Sequence, residues 1–183
     1  MAHPYLAGIE ELLWPAGFRR DIWMIVDGAR DRRVFNLLVN SYLDYSCLYS
    51  GTVPPSLEAA APYLVQLEHE DRYTRQLLEQ GWGNSWGVIL RCHSNRDRIR
   101  RHLRKFLLVQ DARGKQLVFR YYDPRVLRVY LPTCNHAELG ALFGPIEAFY
   151  VEDEDPGEAW EFQRDGSRLA RKKIALGAVR RAG

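Results

Sequence analysis

The stretch IWMIVDG, residues 22–28, decides the fold prediction, because five apolar residues in a row end at an acid and a glycine. A short apolar run that is rich in strand-forming residues and closed by a turn signal predicts a buried strand. The kind of sheet that this strand joins follows from the patterns around it.

Helical and strand patterns alternate around this first strand. Residues 32–42 carry a broad apolar helical face, and residues 71–80 carry a second one, with Gly81 expected as the left-handed residue after its end. Further strand patterns lie at 46–49, 63–67 and 86–90. Strands that alternate with helices predict βαβ units, so we expect an α/β fold with a mixed, largely parallel sheet flanked by helices.

The pattern changes after residue 106. Two apolar runs flank the turn at 111–114 and predict an antiparallel hairpin. Three capping patterns predict the starts of helices: Ser94 with Asp97, Asp123 with Pro124, and Asn135 with Glu138. Strands are expected again at 146–151 and 159–163, so the C-terminal part adds a hairpin, helices and strands to the sheet.

Length and composition predict a single domain over residues 1–163, followed by a tail. The chain has 183 residues, of which 46% are apolar and 27% charged, and this composition excludes an intrinsically disordered protein. The net charge is only +3, yet seven lysines and arginines face one acid from residue 163 onward. We therefore expect residues 164–183 to form a basic tail whose weak periodicity indicates disorder.

The three cysteines and the hydropathy pattern bear on the compartment. Cys47, Cys92 and Cys134 are odd in number and widely spaced, which fits a reducing compartment better than a disulfide framework. No apolar stretch approaches the roughly 18–20 residues that span a bilayer, and the first ten residues do not resemble a secretory signal. A soluble cytoplasmic protein without a membrane partner is the expectation.

Two acids that follow predicted strands are the first candidates for catalysis. Asp27 and Asp123 could together hold Mg²⁺ for phosphoryl transfer, or each could cap the turn or helix that follows it. Capping is the favoured interpretation, because both positions suit it by local chemistry. The sequence has no phosphate-binding glycine loop, nucleophile elbow or paired-histidine zinc motif. We therefore predict no enzymatic activity, no cofactor and no metal.

A basic helix is the strongest charge feature. Residues 91–105 hold seven lysines and arginines against one acid, Asp97. These cations could neutralise nucleic-acid phosphates together with the basic tail, form the solvated face of an amphipathic helix, or dock an acidic protein. The solvated face is favoured over nucleic acid, and all three interpretations stay open.

Aromatic residues cluster at two places, GWGNSWG at 81–87 and FRYY at 119–122. Two tryptophans in a glycine-bounded turn could stack on a partner or close the end of a core. For Trp82 the two interpretations are even, whereas Trp86 opens an apolar run and is expected in the core.

Read in order, several short segments resemble one family. They are VDGA at 26–29, LYSG at 48–51, APYLV at 61–65, GWG at 81–83, WG at 86–87, RHLRKF at 101–106, FRYYDPRVL at 119–127 and LPT at 131–133. The resemblance is to the domain of unknown function 4123 family, the adaptor chaperones of bacterial type VI secretion, and it covers about residues 20–152.

This resemblance implies an adaptor without enzymatic activity. Such proteins bind a toxic effector in the cytoplasm of the producing cell and help to load it onto the VgrG spike. The partners expected are therefore an effector and a VgrG protein, and nucleic acid binding through residues 91–105 is the alternative. Aromatic residues and arginines dominate protein interfaces. The residues expected to contact partners are Trp82, Tyr121, Tyr122 and Arg125, supported by Arg101 and Arg104.

Overall fold

A computed structural model describes residues 3–17, 21–111 and 113–177, and its main feature is a seven-stranded sheet. The strands of this sheet are β1 (Asp21–Asp27), β2 (Tyr45–Cys47), β3 (Pro62–Leu67), β4 (Gly87–Cys92), β7 (Ile146–Glu152), β8 (Glu158–Asp165) and β9 (Arg168–Ala175). A separate two-stranded hairpin consists of β5 (Leu108–Gln110) and β6 (Gln116–Val118).

The sheet is antiparallel throughout, so the prediction of a largely parallel sheet is wrong. Its strand order is β2-β3-β1-β4-β7-β8-β9, and each pair of neighbours is antiparallel. Because β3 and β4 both pair antiparallel with β1, they run in the same direction on either side of it. In the same way, β2 runs parallel to β1 with β3 between them. The βαβ alternation is therefore real, but each unit is split by an inserted antiparallel strand.

Helices cover both faces of the sheet. They are α1 (Leu6–Leu13), α2 (Arg32–Val39), α3 (Pro55–Glu58), α4 (Arg72–Gly81), α5 (Arg96–Arg104), α6 (Pro124–Tyr130) and α7 (His136–Phe143). Buried residues of α1, α2 and α4 form one core with one sheet face, and those of α5, α6 and α7 form a second core with the other. Six of the seven β1 residues are buried, as the run at 22–28 predicts.

Helix ends follow local capping chemistry, with two differences from the sequence prediction. The Asp123 side chain caps α6, and Asn135 with Glu138 forms a complete capping box at α7, so both of these predictions are confirmed. The cap of α5 is Asn95, one residue after the predicted Ser94. Gly81 is the last residue of α4 and not the residue after it. Trp82 is the C-cap, with an extended backbone and its N–H donating to the Leu78 carbonyl, and the glycine with positive φ that follows is Gly83.

The segment expected to be a disordered tail continues the sheet up to residue 175. Strand β8 reaches Asp165, and β9 pairs with it along its whole length, from Asp165 opposite Arg168 to Glu158 opposite Ala175. The lysines and arginines of β9 obscured its strand pattern, because most of its side chains face solvent. The remaining part of the predicted tail, residues 178–183, lies outside the described residues.

Candidate functional site

The carboxyl end of β1 carries a buried acid, as the sequence predicts. Asp27 Oδ1 accepts a hydrogen bond from the Ala29 backbone N–H at 3.0 Å, and the Arg120 guanidinium lies 4.0 Å from Oδ2. Burial raises the pKa of Asp27, although the Ala29 N–H and Arg120 act in the opposite direction. The Asp27 carboxylate therefore stabilises the turn after β1, although burial makes its ionised form less favourable.

The second predicted acid, Asp123, caps its own helix. Its carboxylate accepts hydrogen bonds from the Arg125 backbone N–H at 2.9 Å and from the Arg125 guanidinium at 3.0 and 2.6 Å. Burial acts to raise the pKa of Asp123, but the hydrogen bonds from Arg125 outweigh it and lower the pKa. Among the described residues no group of three or more His, Cys, Asp or Glu side chains could hold a metal ion. The geometry supports capping at both acids.

The raised pKa of Asp27 gives a pH-dependent prediction. Its native carboxyl binds a proton more tightly than the unfolded chain does, so its contribution to stability is complete below about pH 4 and is lost as the pH rises through the native pKa. Asp27→Asn keeps a side-chain oxygen that can accept the hydrogen bond from the Ala29 N–H. The asparagine side chain does not ionise. We expect this variant to gain stability relative to the wild type between about pH 4 and about pH 7 in urea unfolding. A relative loss over that range contradicts the prediction.

The three aromatic residues predicted to contact partners lie in the cores. Trp82 is 5% exposed, and its Nε1–H donates to the Pro156 carbonyl at 2.8 Å. Tyr121 is fully buried and donates its hydroxyl to the Leu103 carbonyl at 2.9 Å, and Tyr122 packs edge-on against it. Trp82 belongs to the core on the opposite sheet face from both tyrosines. In this structure the three rings therefore pack in the cores and expose little surface to a partner.

Glu152 organises the turn that contains Trp82, and sequence reasoning missed this role because Glu152 stands in a run of acids. The carboxylate of Glu152 accepts hydrogen bonds from the backbone N–H of Gly83 at 2.7 Å and of Ser85 at 2.9 Å, and from the Ser85 hydroxyl at 3.1 Å. Burial raises its pKa, opposed by these hydrogen bonds. The GWGNSWG turn is thus held by a buried carboxylate at the end of β7.

The basic helix α5 uses some of its arginines for packing. Its apolar face, Ile99 and Leu103, is fully buried. Arg100 Nε donates to the Cys47 carbonyl at 2.8 Å, and the Arg104 guanidinium donates to the Ser50 hydroxyl. These contacts link α5 to the last residue of β2 and to the segment that follows it, so two of the arginines stabilise the fold.

Three other cations of this region face solvent. Arg98, Arg101 and Lys105 are exposed at i, i+3 and i+7 and therefore share one face of the helix and its end. Within residues 3–17, 21–111 and 113–177, none of the three forms an ion pair. Arg101 is exposed, and Arg125 is half exposed but already paired with Asp123. Their contact with partners stays a prediction.

An apolar groove of about 370 Å³ lies between the segment 49–57 and the β5–β6 hairpin. Its apolar lining consists of Val53, Pro54, Leu57, Leu107, Leu108 and Val118. The side chain of Arg104 also lines it, together with Tyr49, Ser50 and Thr52. We call this feature the hairpin groove.

Three aliphatic side chains of the hairpin groove are more than half exposed. Leu57, Leu108 and Val118 are 52%, 55% and 58% exposed. Leu108 and Val118 form a cross-strand pair, which places them on the same face of the hairpin. Exposed apolar surface of this kind marks interaction sites. Sequence reasoning missed this surface because it gave weight to aromatic rings and assigned the aliphatic residues of the hairpin to ordinary strands.

Comparison with known families decides the classification. Residues 22–141, about two thirds of the chain, match the family described as Domain of unknown function (DUF4123). The chain belongs to the DUF4123 family. No curated protein and no solved structure matches it. The resemblance seen in the sequence is confirmed at the level of the family.

The DUF4123 region contains the whole hairpin groove and helix α5 but not the whole sheet. The match ends at residue 141, within α7, whereas β7, β8 and β9 follow it and complete the sheet beside β4. In the described ranges of this DUF4123 protein, no helix is long and apolar enough to cross a membrane.

Proposed function

We propose that this protein is a cytoplasmic adaptor that binds a toxic effector and helps to load it onto the VgrG spike of a type VI secretion system. Its DUF4123 membership supports the proposal, because this is the role that the family resemblance implies. The observation that carries the proposal is the hairpin groove, whose exposed aliphatic side chains suit the binding of another polypeptide.

Nucleic acid binding is the second candidate, and one observation favours it. Arg98, Arg101 and Lys105 form an exposed cationic stripe that could contact phosphates. That function would leave the apolar hairpin groove without a role. It predicts an affinity that falls steeply with salt, and salt-independent or absent binding of DNA and RNA contradicts it.

Co-purification tests the adaptor role. The tagged chain is produced together with the VgrG protein and the toxin encoded beside its gene, and we expect both to elute with it in size-exclusion chromatography. A VgrG protein and toxin from a different secretion cluster serve as the matched control and should not co-elute. The chain should also remain in the cytoplasmic fraction when the toxin is secreted. Elution of the chain free of both cognate proteins contradicts the proposal.

A further inference from the structure

The hairpin groove has one apolar wall on each side. Leu57 stands on short helix α3, and the pair Leu108 and Val118 stands on the facing side of the hairpin. The hairpin forms a two-stranded sheet of its own, so in the described chain no further strand pairs with it, and Leu108 and Val118 are more than half exposed. A segment that enters this groove would bury aliphatic surface from both walls, at about 25 cal/mol for each Å² removed from water.

The charged side chain that lines the groove is cationic. Among the described residues Arg104 lines the groove and no aspartate or glutamate does, although Glu58 follows Leu57 on α3. Arg101 lies in the last turn of α5, and Lys105 is the C-cap of the same helix. In the described ranges neither residue has an ion-pair partner. An occupant with carboxylates beside its apolar side chains would therefore complement the site, and a basic occupant would be repelled.

We infer that the hairpin groove binds an acidic amphipathic segment of the effector. Apolar side chains of the segment pack between Leu57 and the Leu108–Val118 pair, and its carboxylates pair with Arg104 and Arg101. This inference rests on the proposed adaptor function and assigns the effector to one surface. Nucleic acid is the less suitable occupant, because most of the lining is aliphatic and Tyr49 is the one aromatic ring among the described lining residues, whereas single-strand binding sites stack successive bases on several rings.

The first test places a charge on the groove wall. Val118→Asp puts a carboxylate among the apolar groups, where it removes aliphatic surface and competes with the effector's carboxylates for Arg104. We expect effector affinity to fall at least about tenfold, since hot-spot changes exceed about 1.4 kcal/mol. Leu117→Asp is the matched control. Leu117 is the neighbouring residue of β6, is 42% exposed, and points to the opposite face of the hairpin. Titration calorimetry with purified effector measures both variants, and circular dichroism confirms that both fold.

The second test measures whether the groove prefers acidic or basic peptides, with synthetic peptides as probes. Two fluorescent synthetic peptides share the same leucine positions, and one carries glutamates where the other carries lysines. We expect the wild type to bind the glutamate peptide at least about tenfold more tightly in anisotropy titrations. Arg104→Glu should remove or reverse this preference. Arg32→Glu makes the same charge change on α2, which packs on the other face of the sheet, and should preserve it.

The outcomes separate this inference from the proposed function. If the wild type co-elutes with effector and VgrG but Val118→Asp binds the effector as tightly as the wild type, the groove assignment is wrong and the adaptor role stands. If neither cognate protein co-elutes, the adaptor role fails whatever the peptides show. If the peptides do not bind and Arg104→Glu instead weakens binding of a labelled DNA or RNA oligonucleotide, the groove inference is overturned in favour of nucleic acid.

Discussion

Glu152→Ala should lower the free energy of unfolding by about 2–4 kcal/mol, because the change leaves buried hydrogen-bond donors without an acceptor. The carboxylate of Glu152 accepts from the backbone N–H groups of Gly83 and Ser85 and from the Ser85 hydroxyl. Ser85 has a φ of 56°, a conformation that non-glycine residues rarely adopt and that these bonds help to hold. Urea unfolding followed by tryptophan fluorescence measures the change, since two tryptophans flank this turn.

The neighbouring acid Glu154 provides the matched control for this prediction. Its side chain is largely exposed and contacts Arg128 at 3.3 Å, a surface ion pair of little energetic value. We expect Glu154→Ala to change the free energy of unfolding by no more than about 0.5 kcal/mol. Equal effects of the two variants would show that the buried carboxylate does not hold the turn.

Gly87→Ala should destabilise the protein by about 3 kcal/mol or more, because an added methyl group has no space between two central strands. A Cβ atom at Gly87 would lie 1.9 Å from the carbonyl oxygen of Ile25, and both atoms of that carbonyl belong to backbone that cannot rotate away. The β1–β4 pairing must therefore separate locally. Chemical denaturation measures the effect, and if the variant does not fold, its loss from the soluble fraction of the cell lysate reports the same result.

Gly140→Ala is the control for Gly87→Ala. A Cβ atom at Gly140 would meet only the end of the flexible Arg164 side chain, at 3.1 Å. Gly140 lies within α7, where alanine is favoured over glycine by roughly 0.5–1 kcal/mol. We therefore expect this variant to be neutral or slightly more stable. A Gly87→Ala protein as stable as the wild type would contradict the close approach of β1 and β4.

The glycines in two of the family-like segments have a common physical role. Gly28 of the VDGA segment sits where a Cβ atom would be 2.6 Å from the carbonyl oxygens of Ala59 and Ala61. At Gly87 of the WG segment, an added Cβ atom would likewise lie too close to the carbonyl oxygen of Ile25. These segments mark close approaches of backbone to backbone in the sheet and its loops, and their glycines are explained by packing without any ligand.

Most elements could be predicted from the sequence, but their pairing could not. The buried strand at 22–28, the hairpin and the caps at Asp123 and Asn135 depend on local patterns, and local patterns specify them. Whether neighbouring strands are parallel or antiparallel depends on the order of the strands in the sheet, and a distant strand can be inserted between two that are close in sequence. The helix α4 returns the chain parallel to β3, as a βαβ unit does, but β1 already occupies the place between β3 and β4. No local pattern reports that insertion.

The candidate site was predicted only in part, for a similar reason. Arg101 and Arg104 were predicted to support partner contacts, which stays a prediction; Arg101 is exposed, and Arg104 lines the hairpin groove. Trp82, Tyr121 and Tyr122 were predicted to contact partners because such rings dominate interfaces, but large rings also fill cores. Whether a ring or an aliphatic side chain is covered depends on distant elements: α5 and α6 cover the tyrosines, and nothing in the described chain covers Val118.

The position of β9 has a consequence for self-association. It is the last strand of the sheet, and its exposed side chains include Arg168, Arg171 and Lys172. Two copies that met edge to edge would bring these like charges together, which disfavours the cross-β growth that an uncharged free strand invites. We therefore expect the lysines and arginines of β9 to disfavour fibril formation along this edge of the sheet.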